Sequence, residues 1–196
     1  MHYLALGDSI SIDLYTGVPG GGAVSQFAAR IGAQVVENLC YDGCTTEGVL
    51  DMLSVVSIVP TVVTVTVGGN DLLLCAGRPP EPCLSAIMAN LASIADQLAA
   101  FRCPVIINTI YDPTDGDDVF APLLGIPPDF RAIYVQLNAA IRTLAATRGF
   151  LLADLQALFH GHGIAADAPW FVQRIEPNHP GATAIAQEWM RLYQGV

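Results

Sequence analysis

Five short strand-like runs recur along the chain, and stretches with helical spacing lie between them. Residues 3–6 (Tyr-Leu-Ala-Leu) read as a first strand and residues 34–39 as a second. Residues 61–67 are β-branched almost throughout, which suits a central strand buried on both faces. Residues 104–110 and 149–153 supply a fourth and a fifth. Residues 23–31 put Val24, Phe27, Ala28 and Ile31 on one helical face. Thr45 or Thr46 is placed to N-cap a helix running through Met52 or Leu53. A long amphipathic helix over 83–101 follows a Pro-rich loop. Asp129 caps the next helix, which runs to about Arg148. Residues 155–175 are mixed, with a short helix at their start. Pro180 suits the first turn of a last helix ending near Tyr193.

Strands alternating with helices predict an α/β protein whose parallel sheet is covered on both faces, with right-handed crossovers. No repeat, low-complexity tract or linker divides the chain, so residues 1–196 form one domain.

Composition changes this picture little. Hydrophobic residues make up 53% of the chain and charged residues 13%, enough for a substantial core. Net charge is −10, and all eight cations are arginine. That balance argues against nucleic-acid binding and makes anionic membranes poor partners. Strand residues follow Met1 without a basic leader region, and the best apolar run, 55–67, is broken by Pro60. The expectation is a cytoplasmic protein without a membrane segment.

The cysteines are Cys40, Cys44, Cys75, Cys83 and Cys103, and their spacing fits no zinc template. Free thiols packed as small apolar groups are expected, with a bond between Cys75 and Cys83 as the alternative. His160 and His162 read as solvated loop residues, and the acidic run beginning at Asp112 as a solvated turn rather than a calcium loop.

Four short blocks carry chemistry. Gly7-Asp8-Ser9-Ile10 follows the first strand, where an open α/β sheet presents ligand chemistry. Asn38-Leu39-Cys40-Tyr41-Asp42-Gly43 follows the second, and Val67-Gly68-Gly69-Asn70-Asp71 the third. Glu176-Pro177-Asn178-His179-Pro180-Gly181 lies at the opening of the last helix. Ester cleavage needs a nucleophile, a base and donors for an oxyanion. Ser9 is the candidate nucleophile. His179 is the candidate base, because it alone of four histidines has an acid three residues earlier and opens a helix.

Ser, Gly, Asn and His in that order resemble the SGNH (GDSL-type) hydrolase family, and the resemblance runs from Gly7 to His179. It implies a flavodoxin-like three-layer α/β/α sandwich with strand order 2-1-3-4-5. It also implies a serine esterase that hydrolyses small carboxylic esters through an acyl-enzyme, with neither cofactor nor metal. Its oxyanion hole would be Ser9 N–H, Gly43 N–H and the Asn70 amide, with Asp8 and Asp71 bracing their loops. The chain departs from the family at Glu176, where aspartate is usual. Either Glu176 orients His179 as the third triad member, or a backbone carbonyl does so.

Two alternatives stand beside this reading. One is an O-acetylesterase acting on a carbohydrate or another acetylated compound. The other is a non-catalytic flavodoxin-like module holding FMN, although the first loop lacks a Gly- and Ser/Thr-rich phosphate cradle. Apolar residues in the loops after the strands suggest an acyl or aryl group in the substrate. These are Leu72, Leu73, Leu74, Ile110, Phe120, Leu123, Leu124, Trp170, Phe171 and Val172, with Tyr111 nearby.

Overall fold

Apolar residues that alternate between the two faces of the inner strands explain the layers of the computed structural model, which describes residues 1–126 and 130–196. The five strands are β1 (His2–Gly7), β2 (Val35–Asn38), β3 (Val62–Thr66), β4 (Val105–Asn108) and β5 (Leu151–Ala153). All pair in parallel, in the order β2-β1-β3-β4-β5. Every residue of β3 and β4 is buried, as strands covered on both faces require.

Leu4, Leu6, Val63, Val65, Val105 and Ile107 face one layer. That layer is α2 (Thr46–Leu53), α4 (Pro80–Ala99) and α5 (Phe130–Arg148). Tyr3, Ala5, Val62 and Ile106 face the other. There, α1 (Ala23–Arg30) and α7 (His179–Tyr193) pack Phe27 edge-on against Tyr3 and Trp189. Thr45 is the N-cap of α2, its hydroxyl accepting from Gly48 N–H at 3.3 Å. The expected cap Asp129 lies outside the described residues.

Two elements depart from the expectation. The run Leu72-Leu73-Leu74, read as loop, belongs to a short helix, α3 (Gly69–Leu74). Gly68, at φ +111°, turns the chain from β3 into that helix without a linker, so no loop separates the two patterns. Later, β6 (Phe171–Val172) and β7 (Glu176–Pro177) form an antiparallel hairpin, each strand too short to show a period of two. Between them and β5 lies the short α6 (Leu155–Leu158) at the expected place. The N-terminus of α4 is Pro80, three residues before the expected start, with proline in the first turn.

Cys75 and Cys83 form a disulfide with Cα atoms 6.0 Å apart, joining the end of α3 to the first turn of α4. Cys40, Cys44 and Cys103 are free. Among the described residues, no helix is long and apolar enough to cross a membrane.

Candidate active site

Gly7 sets the geometry at the carboxyl edge of the sheet. Its φ of +131° and its closeness to the Thr66 carbonyl leave no room for a Cβ. Asp8 N–H continues the β1 to β3 pairing by donating to Thr66 O at 3.0 Å. The Asp8 carboxylate then accepts from Ile10 N–H at 3.4 Å and caps a single helical turn over Ser9–Ser11. Ser11 Oγ shares a 2.8 Å bond with Thr66 Oγ1, which fixes the turn to the central strand. Ser9 is buried at its start, 5% exposed.

The C-terminal block reaches Ser9 through the hairpin. Val172 pairs with Glu176 across β6 and β7, and Tyr111 Oη donates to Ile175 O at 2.6 Å beside it. Tyr111 is itself held between Phe159 and Phe171. Asn178 caps α7, its Oδ1 accepting from Gly181 N–H at 3.0 Å, so His179 opens the helix.

Ser9 Oγ donates to Glu176 Oε1 at 3.0 Å, a contact between residues 167 positions apart. Glu176 Oε2 and His179 Nδ1 are both buried and have no hydrogen-bond partner. Burial pushes the Glu176 carboxyl above the ordinary glutamate value, against the pull of the Ser9 hydroxyl. Burial also pushes Asp8 up to about 8, although bonds from Thr66 and Ile10 favour its charged form.

The loops after β2 and β3 meet on the other side of Ser9. Asn70 Nδ2 donates to Cys44 O at 2.9 Å, using one of its two amide hydrogens. That bond ties Asn70 to the residue after Gly43, which is exposed and takes φ +76°. Asp71 accepts from Thr46 N–H at 3.1 and 3.0 Å and from Thr46 Oγ at 2.6 Å, pinning the first turn of α2 to α3. Tyr15 Oη donates to Asp42 Oδ2, linking the loop after Ser9 to the loop that carries Gly43.

A cavity opens beside Ser9 and Asn70, walled by Ile10, Leu73, Asn108, Ile110, Tyr111, Pro113, Ile126, Phe130 and Ile175 among others. Leu73, Ile110 and Tyr111 were expected there. The other expected apolar residues are elsewhere: Leu72 and Leu124 pack in the core, Leu74 and Leu123 are exposed, and Trp170 and Phe171 pack around Phe159. Phe120 packs against the core, and Val172 is not in the wall. Asn108 was missed. Its signal was a polar residue ending an otherwise apolar strand, Val-Ile-Ile-Asn.

The remaining sequence candidates, His160, His162 and the acidic side chains from Asp112 onward, are not in the cavity wall. His162 is stacked flat on Trp170 with ring centroids 3.7 Å apart, so it is better placed than a solvated residue. The acidic run is likewise built in. Asp112 binds Thr114, Gly116 N–H and Arg131, while Asp115 accepts from Gly161 and Gly163 N–H. Among the described residues, no group of three acidic, histidine or cysteine side chains is arranged to hold a metal.

Comparison with known proteins agrees with this architecture. A lipolytic G-D-S-L family protein from Veillonella parvula is 20% identical, covering 100% of this chain and 99% of that one with a TM-score of 0.73. A phospholipase A1 from Streptomyces albidoflavus is 19% identical over 99% of this chain and 98% of that one, with a TM-score of 0.69. An acetylxylan esterase from Geobacillus stearothermophilus is 19% identical over 97% of this chain and 93% of that one, with a TM-score of 0.72. No curated protein matched the sequence. The model of the GDSL-like Lipase/Acylhydrolase family matches residues 5–184, from within β1 into α7. A match that spans the sheet and both ends of the cleft settles the assignment: the chain belongs to the GDSL-like lipase/acylhydrolase family and is a carboxylic ester hydrolase.

Proposed function

We propose that this protein is a serine esterase in which Ser9 is the nucleophile, His179 the general base and Glu176 the acid that orients it. The observation that carries the reading is the bond between Ser9 and Glu176 in a buried cleft, with His179 Nδ1 unpaired three residues on. Ser9 Oγ bonds Glu176 rather than His179, and the free oxygen of Glu176 and the free Nδ1 of His179 leave each able to take the other as partner once the imidazole is charged.

In the proposed cycle, Ser9 Oγ attacks the ester carbonyl carbon while its proton passes to His179. Negative charge collects on the former carbonyl oxygen, facing Ser9 N–H, Gly43 N–H and the second amide hydrogen of Asn70. The intermediate collapses to an acyl-enzyme, and His179 returns the proton to the departing alkoxide. Water, deprotonated by His179, then attacks the acyl carbon, and Ser9 leaves with that proton as the carboxylic acid departs. Asp8 and Asp71 act by holding the loops that bear Ser9, Asn70 and α2.

The apolar wall beside Ser9 favours an uncharged acyl group, and its modest size of about 60 Å³ suits a short one. Deacetylation of a larger compound is compatible with the same room. Membership of a hydrolase family leaves the flavin-binding alternative without support. A panel of p-nitrophenyl acetate, butanoate and hexanoate on wild type and Ser9→Ala tests the reading. Turnover should fall at least a thousandfold in the variant, at unchanged melting temperature. Retained turnover would remove Ser9 from the chemistry.

A further inference from the structure

Asn178, which caps α7 and precedes His179, is held from outside its own helix. Its N–H donates to Trp170 O at 2.9 Å, and its Nδ2 donates to Pro169 O at 2.8 Å. The second bond turns Oδ1 toward Gly181 N–H, the contact that caps the helix. Trp170 also lies against the first turn itself. A Cβ at Gly181 would sit 2.5 Å from Trp170 O, so glycine is what lets the helix start this close. The backbone at 169–170 therefore sets where α7 begins, and with it the place of His179.

Trp170 is in turn fixed by its ring. It lies flat against His162, with centroids 3.7 Å apart and planes 4° from parallel. Phe159 meets it edge-on at 5.3 Å. Trp170 N–H donates to His162 O at 3.0 Å, and His162 N–H donates to Phe159 O at 2.9 Å. His162 Nδ1 is 3.2 Å from Ala168 O, which closes the loop between the two rings. Phe159 also stacks on Tyr111, which bonds Ile175 beside Glu176. The aromatic group thus braces both ends of the block from Glu176 to His179.

We propose that the stack of His162 on Trp170 is a positioning clamp for His179, setting the entry of α7 so that the imidazole meets Ser9 and Glu176. This inference rests on His179 being the base. Neither ring is in the cavity wall, so the pair acts through Asn178 and not on the substrate. A displaced base loses rate without changing how the ester binds.

The test is steady-state hydrolysis of p-nitrophenyl acetate by His162→Ala, His162→Phe, Trp170→Leu and His179→Ala. His162→Ala removes the stack at a half-buried position and should lower kcat about three- to tenfold, the worth of one aromatic contact, at unchanged KM. His162→Phe keeps a flat ring and should restore most of that loss. Trp170→Leu should lower kcat further, again at unchanged KM. Ile141→Val, a core change in the opposite layer, controls for stability: it should lower the melting temperature and leave kcat as it is. Full kcat in both His162→Ala and Trp170→Leu overturns the proposal. So does a loss carried by KM, a loss in His162→Ala that His162→Phe does not restore, or a matching loss in Ile141→Val. Turnover that survives His179→Ala would instead break the underlying reading of the base.

Discussion

Two buried carboxylates stand at the same edge of the sheet, and they are bonded in opposite ways. Asp71 uses both oxygens on Thr46, taking its N–H and its hydroxyl, so nothing about it is left open. Glu176 has one oxygen on Ser9 and the other on nothing. A carboxylate with both oxygens committed holds a loop in place. A half-committed one can change partners as charge moves, which is what an imidazole turning into imidazolium demands. Position in sequence does not reveal this difference, since each acid adjoins a family block.

Replacing each acid should separate the two roles. Glu176→Gln should lower kcat on the order of a hundredfold or more while the melting temperature barely moves, because shape and hydrogen-bonding capacity are kept. Asp71→Ala should do the reverse, destabilising the fold by about 1–3 kcal/mol as Thr46 loses its acceptors, with a smaller loss of kcat. Urea unfolding and steady-state kinetics on both variants make the measurement. Equal effects on both quantities would erase the distinction drawn here.

Asp8 supplies a third effect, read as a change with pH. Burial pushes its carboxyl up to about 8 in the folded protein, against an ordinary value of 3.8. The folded state therefore holds this proton more tightly than the unfolded chain does. The resulting stabilisation is complete below pH 4 and is lost as pH rises through 8. Wild type should lose stability relative to Asp8→Asn across that interval, read as the difference between their melting temperatures from pH 4 to pH 9. A difference independent of pH would show that Asp8 is already ionised at the low end.

Much of this was legible from residues alone, for identifiable reasons. Strands with β-branched runs and helices with a clear apolar face came within a few residues of their observed limits. The sheet order followed from the family resemblance and is the order observed. Family blocks named Ser9, Gly43, Asn70 and His179; Ser9, Asn70 and His179 fall just after a sheet strand or at a helix start, and Gly43 lies in the loop between β2 and α2. What stayed hidden depends on three-dimensional closure. The hairpin that delivers Glu176 to Ser9 has strands of two residues. The cavity wall draws on Ile126, Phe130 and Ile175, which no local pattern unites. Asn108 is polar at the end of a buried strand, and only its missing partner marks it out.

The central claim is that Ser9 is the activated nucleophile, with His179 as its base. Peptide mapping by mass spectrometry after treatment with a fluorophosphonate tests it most directly. The account predicts one adduct, on Ser9, absent from Ser9→Ala and formed far more slowly in His179→Ala. An unlabelled protein, or an adduct on another residue, would contradict it.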